Sequence, residues 1–131
     1  MNGSLLIIDP DASTRDLLRE ALEQDGFDVD IATHPMAALE GSNDVVVVDI
    51  RSDIGPLLLA CPPDLKIVLL TGSDRLEEAT AAVGCGAFDL VLRPFFVEDV
   101  SLTVACAFAR GSRQSLESAL FHVQKNHALL S

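Results

Sequence analysis

Four residues of this chain combine a reactive side chain with a telling position. Asp9, Asp49, Thr71 and Arg93 each stand directly after a short apolar run. Asp11 lies two residues beyond Asp9. Carboxylates brought to one place repel one another, and a hard divalent cation bound through oxygen, such as Mg²⁺, relieves that repulsion. An aspartate beside such an ion can attack a phosphoryl group, because the metal screens the charge of both partners. Thr71 offers a hydroxyl to one phosphoryl oxygen and Arg93 a fixed cation to another. Each residue also has an ordinary structural reading. Asp9 or Asp11 can cap a helix, the former with Pro10 at the first helical position. Asp49 can open a turn, and Thr71 can precede a helix start at Ser73 or Asp74. Both sets of readings stand for the residues taken singly; their common place at strand ends favours a site.

The elements that must position them follow from the apolar pattern. Leu5-Leu6-Ile7-Ile8, Val45-Val46-Val47-Val48 and Ile67-Val68-Leu69-Leu70 are continuous apolar runs. Such runs are what a parallel sheet buried on both faces requires. Phe27, Val29 and Ile31 alternate, as in a strand with one face more exposed, and Phe88 to Leu92 is a fifth candidate. Between them lie helical patterns: Leu17, Leu18, Ala21 and Leu22 before Gly26; Pro35 to Glu40; Leu57 to Ala60; and Leu76, Ala79 and Val83. The last begins at a D-x-x-E start formed by Asp74 and Glu77. Val97, Val100, Val104 and Phe108 line a final helix. Five rounds of strand then helix predict a doubly wound, three-layer α/β domain. Ligands in such sheets bind at the carboxyl ends of the strands, where Asp9, Asp49, Thr71 and Arg93 fall.

Composition narrows the classes of function. The chain has 131 residues, the size of one domain, and 49% hydrophobic content. Nine Lys and Arg against 20 Asp and Glu give a net charge of -11, which argues against direct nucleic-acid binding and against docking on anionic lipid. No apolar run approaches the ~18 residues of a spanning helix, and no signal peptide is visible at Met1 to Asp9. Cys61, Cys85 and Cys106 make no C-x-x-C pair and are expected to be reduced, buried small hydrophobes of a cytoplasmic protein. Gly84-Cys85-Gly86 is a lone G-x-G, and there is no G-x-x-x-x-G-K, so an unrelated nucleotide-binding enzyme has no support.

The ordered set Leu5 to Asp11 (LLIIDPD), Asp44 to Ile50 (DVVVVDI), Ile67 to Gly72 (IVLLTG) and Gly86 to Phe95 (GAFDLVLRPF) resembles the receiver domain of two-component response regulators. The helix running to Gly26 also fits, and the resemblance covers about residues 4 to 110. It implies a flavodoxin-like, five-stranded parallel sheet of order 2-1-3-4-5. It implies that Asp49 accepts a phosphoryl group from a histidine kinase. Mg²⁺ would be held by Asp9, Asp49 and the backbone carbonyl of Arg51, with Asp11 a further candidate. Thr71 and Arg93 would attend the phosphoryl group. Thr71 would couple it to a face formed by the fourth helix, fifth strand and fifth helix, where Leu90 holds the place of an aromatic switch. The bond between Arg93 and Pro94 would be cis. The partners implied are the kinase and an output domain or effector protein. Such a domain is not an enzyme beyond phosphorylation and autodephosphorylation of Asp49.

The chain departs from that pattern in specific ways. Pro10 stands where the family has a second acid, and its side chain has no ligand atom. Arg93 replaces a lysine; a planar fork is not equivalent to a compact ammonium. Ile50 to Asp53 lacks the Met-Pro pair expected after the acceptor. The stretch from Phe27 to Asp49 is shorter than the family norm by about one helical turn, and that from Asp49 to Thr71 by roughly two, so the second and third helices should be stubby. A phosphorylation-independent pseudo-receiver, acting as a protein-binding module, is the alternative function. Residues 111–131 are read as a helical extension or linker toward an output domain. There Leu116, Leu120, Val123, His127 and Leu130 follow a coiled-coil spacing compatible with a homodimer. His122 and His127 are five apart, which separates them on a helix.

Overall fold

The computed structural model describes residues 3–110. The expected extension 111–131, with its seam and its two histidines, lies outside the described residues. In chain order the elements are β1 (Ser4–Ile8), α1 (Ala12–Gln24), β2 (Asp28–Ala32), α2 (Ala37–Glu40), β3 (Val45–Asp49), α3 (Gly55–Ala60), β4 (Lys66–Thr71), α4 (Leu76–Gly84), β5 (Asp89–Leu92) and α5 (Val97–Ala109). The five strands are all parallel, in the order β2-β1-β3-β4-β5. This is the flavodoxin-like fold, with α2 and α3 reduced to four and six residues.

The continuous apolar runs are explained by the two layers that cover the sheet. Successive strand side chains point to opposite faces. Leu6, Ile8, Val46, Val48, Ile67 and Leu69 pack on one side against Ala38 of α2, Leu57 of α3 and Ala79 and Ala82 of α4. Leu5, Ile7, Val45, Val47, Val68 and Leu70 pack on the other against Leu18 and Leu22 of α1 and Val100, Val104 and Ala107 of α5. All four valines of β3 are fully buried; burying each such side chain is worth about 1.5–3 kcal/mol. Edge strand β2 keeps the expected alternation, with Val29 buried between exposed Asp28 and Asp30.

Two helices end in the same way. After α1 the Phe27 N–H donates to the Leu22 carbonyl and the Gly26 N–H to that of Glu23. After α4 the Ala87 N–H donates to Ala82 and the Gly86 N–H to Val83. This paired closure requires a left-handed residue, and Gly26 and Gly86 have φ of 96° and 125°. Phe27, entering β2, stacks on Phe108 of α5 with ring centroids 4.8 Å apart.

Two local expectations are corrected. Asp74 does not cap α4: Ser73–Arg75 form a single 3-10 turn, and the helix starts at Leu76 with no side-chain cap. The three cysteines are free, but Cys85 and Cys106 are exposed and Cys61 is only half-buried. Cys85 falls at the end of α4, and Cys106 on the solvent side of α5, away from Val104 and Ala107. Among the described residues no helix is long and apolar enough to cross a membrane.

Candidate functional site

The strand ends converge as the apolar runs require. Asp9 follows β1, Asp49 closes β3, Thr71 closes β4, and Arg93 follows β5. The register sets Asp49 beside Leu70 and Thr71 beside Leu92. The Arg93 N–H donates to the Thr71 carbonyl at 2.7 Å, which fixes the root of the arginine at the end of β4. The Arg93–Pro94 bond is cis. Asp9, Asp49 and Thr71 are 2%, 1% and 0% exposed. Asp49 and Arg93 line a cleft of about 380 Å³, whose other walls include Asp11, Arg51, Asp74 and Arg75.

Two arginines hold the two buried carboxylates. Arg93 Nη2 donates to Asp9 Oδ2 and to Asp49 Oδ2, each at 2.6 Å, and its Nε donates to Asp49 Oδ2 at 3.2 Å. The Arg93 guanidinium also lies 5.4 Å from the centroid of the Phe95 ring, a cation–π distance. Arg51 approaches from the turn that follows β3. Its Nε donates to Asp49 Oδ1 at 2.8 Å and its Nη2 to Oδ2 at 3.1 Å. Arg51 Nη2 is also 3.5 Å from Asp9 Oδ1. Burial pushes the Asp49 carboxyl up, but the Arg51 side chain and backbone N–H and the Arg93 guanidinium outweigh it. The net effect holds Asp49 below the ordinary carboxylate value. The bond to Asp49 raises Arg51 above its ordinary value.

The ordinary reading of the aspartates coexists with the chemical one. The Arg51 N–H donates to Asp49 Oδ1 and the Asp11 N–H to Asp9 Oδ1, both at 2.8 Å. Each strand-end aspartate therefore closes an Asx turn with one oxygen. Asp11, and not Asp9, is the N-cap of α1. Its carboxylate accepts from the Ser13 N–H and from the Thr14 hydroxyl, the latter at 2.7 Å, which lowers its pKa. The Thr71 hydroxyl donates to the Gly72 carbonyl at 2.9 Å. Thr71 is thus brought to the site, with its hydroxyl turned along its own backbone.

The donor set in this arrangement does not fit a divalent ion. Mg²⁺ demands near-octahedral oxygen ligands at about 2.0–2.1 Å. Here Asp9 and Asp49 face guanidinium N–H groups, Pro10 contributes no side-chain oxygen, and Asp11 is engaged in capping. No cluster of three or more His, Cys, Asp or Glu side chains is placed for a metal among the described residues. No buried side-chain polar atom among them lacks a partner that an ion could satisfy. The Arg51 side chain is the feature that sequence reasoning missed, since only its backbone carbonyl was considered. The available signal was charge: with nine Lys and Arg against 20 acids, a cation two residues after a strand-end aspartate is conspicuous.

The chain and its fold are similar to those of known proteins. No family model matches the chain. Response regulator MprA of Mycobacterium ulcerans is 27% identical over 129 residues, covering 91% of this chain and 56% of that protein. The chain thus spans about half the length of this curated relative. The crystal structure of full-length FixJ from B. japonicum superposes with a TM-score of 0.78 at 25% identity, covering 89% of this chain and 63% of that one. A response regulator receiver domain protein from Clostridium thermocellum gives a TM-score of 0.73 at 26% identity, covering 82% and 95%. In sequence and in fold the chain is thus similar to response-regulator receiver domains, with a site in which two arginines face the acids.

Proposed function

We propose that this domain accepts a phosphoryl group on Asp49 from a histidine kinase and passes the change to an output domain or effector. The observation that carries the reading is Asp49 itself. It is a buried carboxylate at the mouth of the central strand, kept ionised, with two guanidinium forks aimed at it from an open cleft. Its lone pair attacks phosphorus of a phosphorylated imidazole. The new O–P bond forms as the N–P bond breaks, and the released pair returns to the imidazole nitrogen, which takes up a proton. The forks then turn to the phosphoryl oxygens, a bidentate match that guanidinium makes well. Thr71 would exchange Gly72 for a phosphoryl oxygen. Because Thr71 closes β4 between β3 and β5, its rotation would be felt at α4, β5 and α5. Leu90, packed on the α4 side of the core, has no polar tip, so that coupling runs through packing alone. Leu92, Phe96 and Leu102 are exposed on or beside β5 and α5, which suits a protein partner.

The test is intact-mass spectrometry after incubation with acetyl phosphate, with and without Mg²⁺, on the wild type and on Asp49→Asn. Gain of one phosphoryl group, lost in Asp49→Asn, is the expected result. A folded wild type that gains none from acetyl phosphate or from any histidine kinase tried would instead mark a phosphorylation-independent binding module.

A further inference from the structure

We infer that Arg51 and Arg93 supply from within the chain the positive charge that a divalent ion would supply, so that Asp49 is phosphorylated without metal. The inference deepens the acceptor reading and rests on it. Three observations carry it. First, the charges balance: the two buried carboxylates, Asp9 and Asp49, meet two partly exposed guanidinium groups. Second, Arg51 is shared by both acids, at 2.8 Å from Asp49 and 3.5 Å from Asp9, so one cation serves the pair. Third, the substitution at Pro10 removes an acid from the same edge where Arg51 adds a cation. A receiver pocket with fewer acids and one more arginine has less need of an ion and less room for it.

The chemistry is consistent with this assignment. Transfer converts the Asp49 carboxylate into an acyl phosphate and brings a dianionic group into the cleft. What it requires of the site is positive charge held in place at the developing phosphoryl oxygens, and arginine clamps can serve there as well as metal ions do. Arg93 is held at its root by the Thr71 carbonyl and on its face by Phe95. Arg51 is held by the turn whose N–H it donates to Asp49. Neither fork has to be recruited from solvent.

The experiment uses the full chain and begins with metal alone. Mn²⁺ titration followed by electron paramagnetic resonance is expected to show no saturable site at concentrations up to about 10 mM. The thermal midpoint should agree within about 1 °C in EDTA and in Mg²⁺, because a ligand that does not bind the native state cannot shift it. Labelling by acetyl phosphate in EDTA should match that in Mg²⁺ within about twofold, and Arg51→Ala should slow the EDTA reaction by roughly tenfold or more. Arg51→Lys, which keeps the charge but not the fork, should fall between them. A saturable Mn²⁺ site in the wild type, or labelling abolished by EDTA, overturns the inference. Absence of label in both buffers, with no metal bound, overturns the transfer half of the inference; absence of label from a histidine kinase as well overturns the acceptor reading. The charge substitution is then still decided by the titration, which needs no variant to fold.

Discussion

Replacing Asp49 by asparagine separates two kinds of acid site by the sign of a stability change. Arg93 Nη2 contacts Asp9 and Asp49 at 2.6 Å each, so the two carboxylates lie within roughly 5 Å. Two like charges at that distance cost on the order of 3 kcal/mol at an effective dielectric near 20. In a pocket of acids alone, Asp49→Asn would remove that repulsion and stabilise the protein. Here both acids face guanidinium groups, and the substitution strips Arg93 and Arg51 of a charged partner. Hydrogen bonds to charged groups contribute about 1.5–3 kcal/mol each. Arg51, 52% exposed, recovers most of its share by turning into water, whereas Arg93, 26% exposed, recovers less. The expected net loss is about 2 kcal/mol, or roughly 6–10 °C in Tm for a domain of this size. Urea unfolding followed by circular dichroism, near neutral pH and low salt, measures it. The loss should shrink in about 1 M salt, because the arginines are partly solvated. A variant as stable as the wild type, or more stable, would show that the charges are not matched as described.

Other expectations follow from neighbouring features. The folded-state pKa of Asp49 is depressed, so its contribution is present above its unfolded value and is lost as pH falls through the folded one. Urea midpoints of wild type and Asp49→Asn should therefore converge as the pH falls below the ordinary carboxylate range; curves that stay parallel would argue against the shift. Leu57 is fully buried and is the main anchor of α3. Leu57→Ala should cost about 2–5 kcal/mol with an unchanged denaturant slope, and a loss under 1 kcal/mol would mean the short helix contributes little. Gly84 and Gly86 should respond oppositely to alanine. A Cβ at Gly84 meets open space within α4, so Gly84→Ala should stabilise by about 0.5–1 kcal/mol. At Gly86, with φ of 125°, alanine should destabilise by roughly 1–2 kcal/mol; thermal melts of the pair settle the sign.

The fold was legible because it is written in local runs. Four valines in a row have few uses other than a strand covered on both faces, and strand-helix alternation then leaves little choice of architecture. The start of α3 was less readable: Pro56 looks like a breaker ahead of Leu57, but it falls in the first helical turn, where no N–H is needed, and the later prolines only end the helix. The D-x-x-E start at Asp74 misled because its pattern is local while the chain there is bound by β4, which delivers it in a tighter 3-10 turn. The cysteines misled because apolar character does not choose a helix face. At the site, the positions of Asp9, Asp49, Thr71 and Arg93 followed from the strand ends. The direction of the Arg51 side chain did not, because it depends on two carboxylates from different strands meeting a cation that either could have claimed. Charge balance within a pocket is a property of three dimensions, and here it decides the chemistry.

The Arg93 contacts also have a mechanical consequence. Rooted after β5, bonded through its backbone to the end of β4 and through its guanidinium to the ends of β3 and β1, this one residue is a strut laid across four strands on the open edge of the sheet. An open twisted sheet deforms most easily by shear between its strands, and a strut at one edge stiffens that mode while leaving the opposite edge free. A phosphoryl group at Asp49 would cut the strut at its middle and reattach it further out. The signal would then be a change in the stiffness of the whole edge as well as a displacement beside Thr71, visible as altered amide exchange at β1, two strands away from β4.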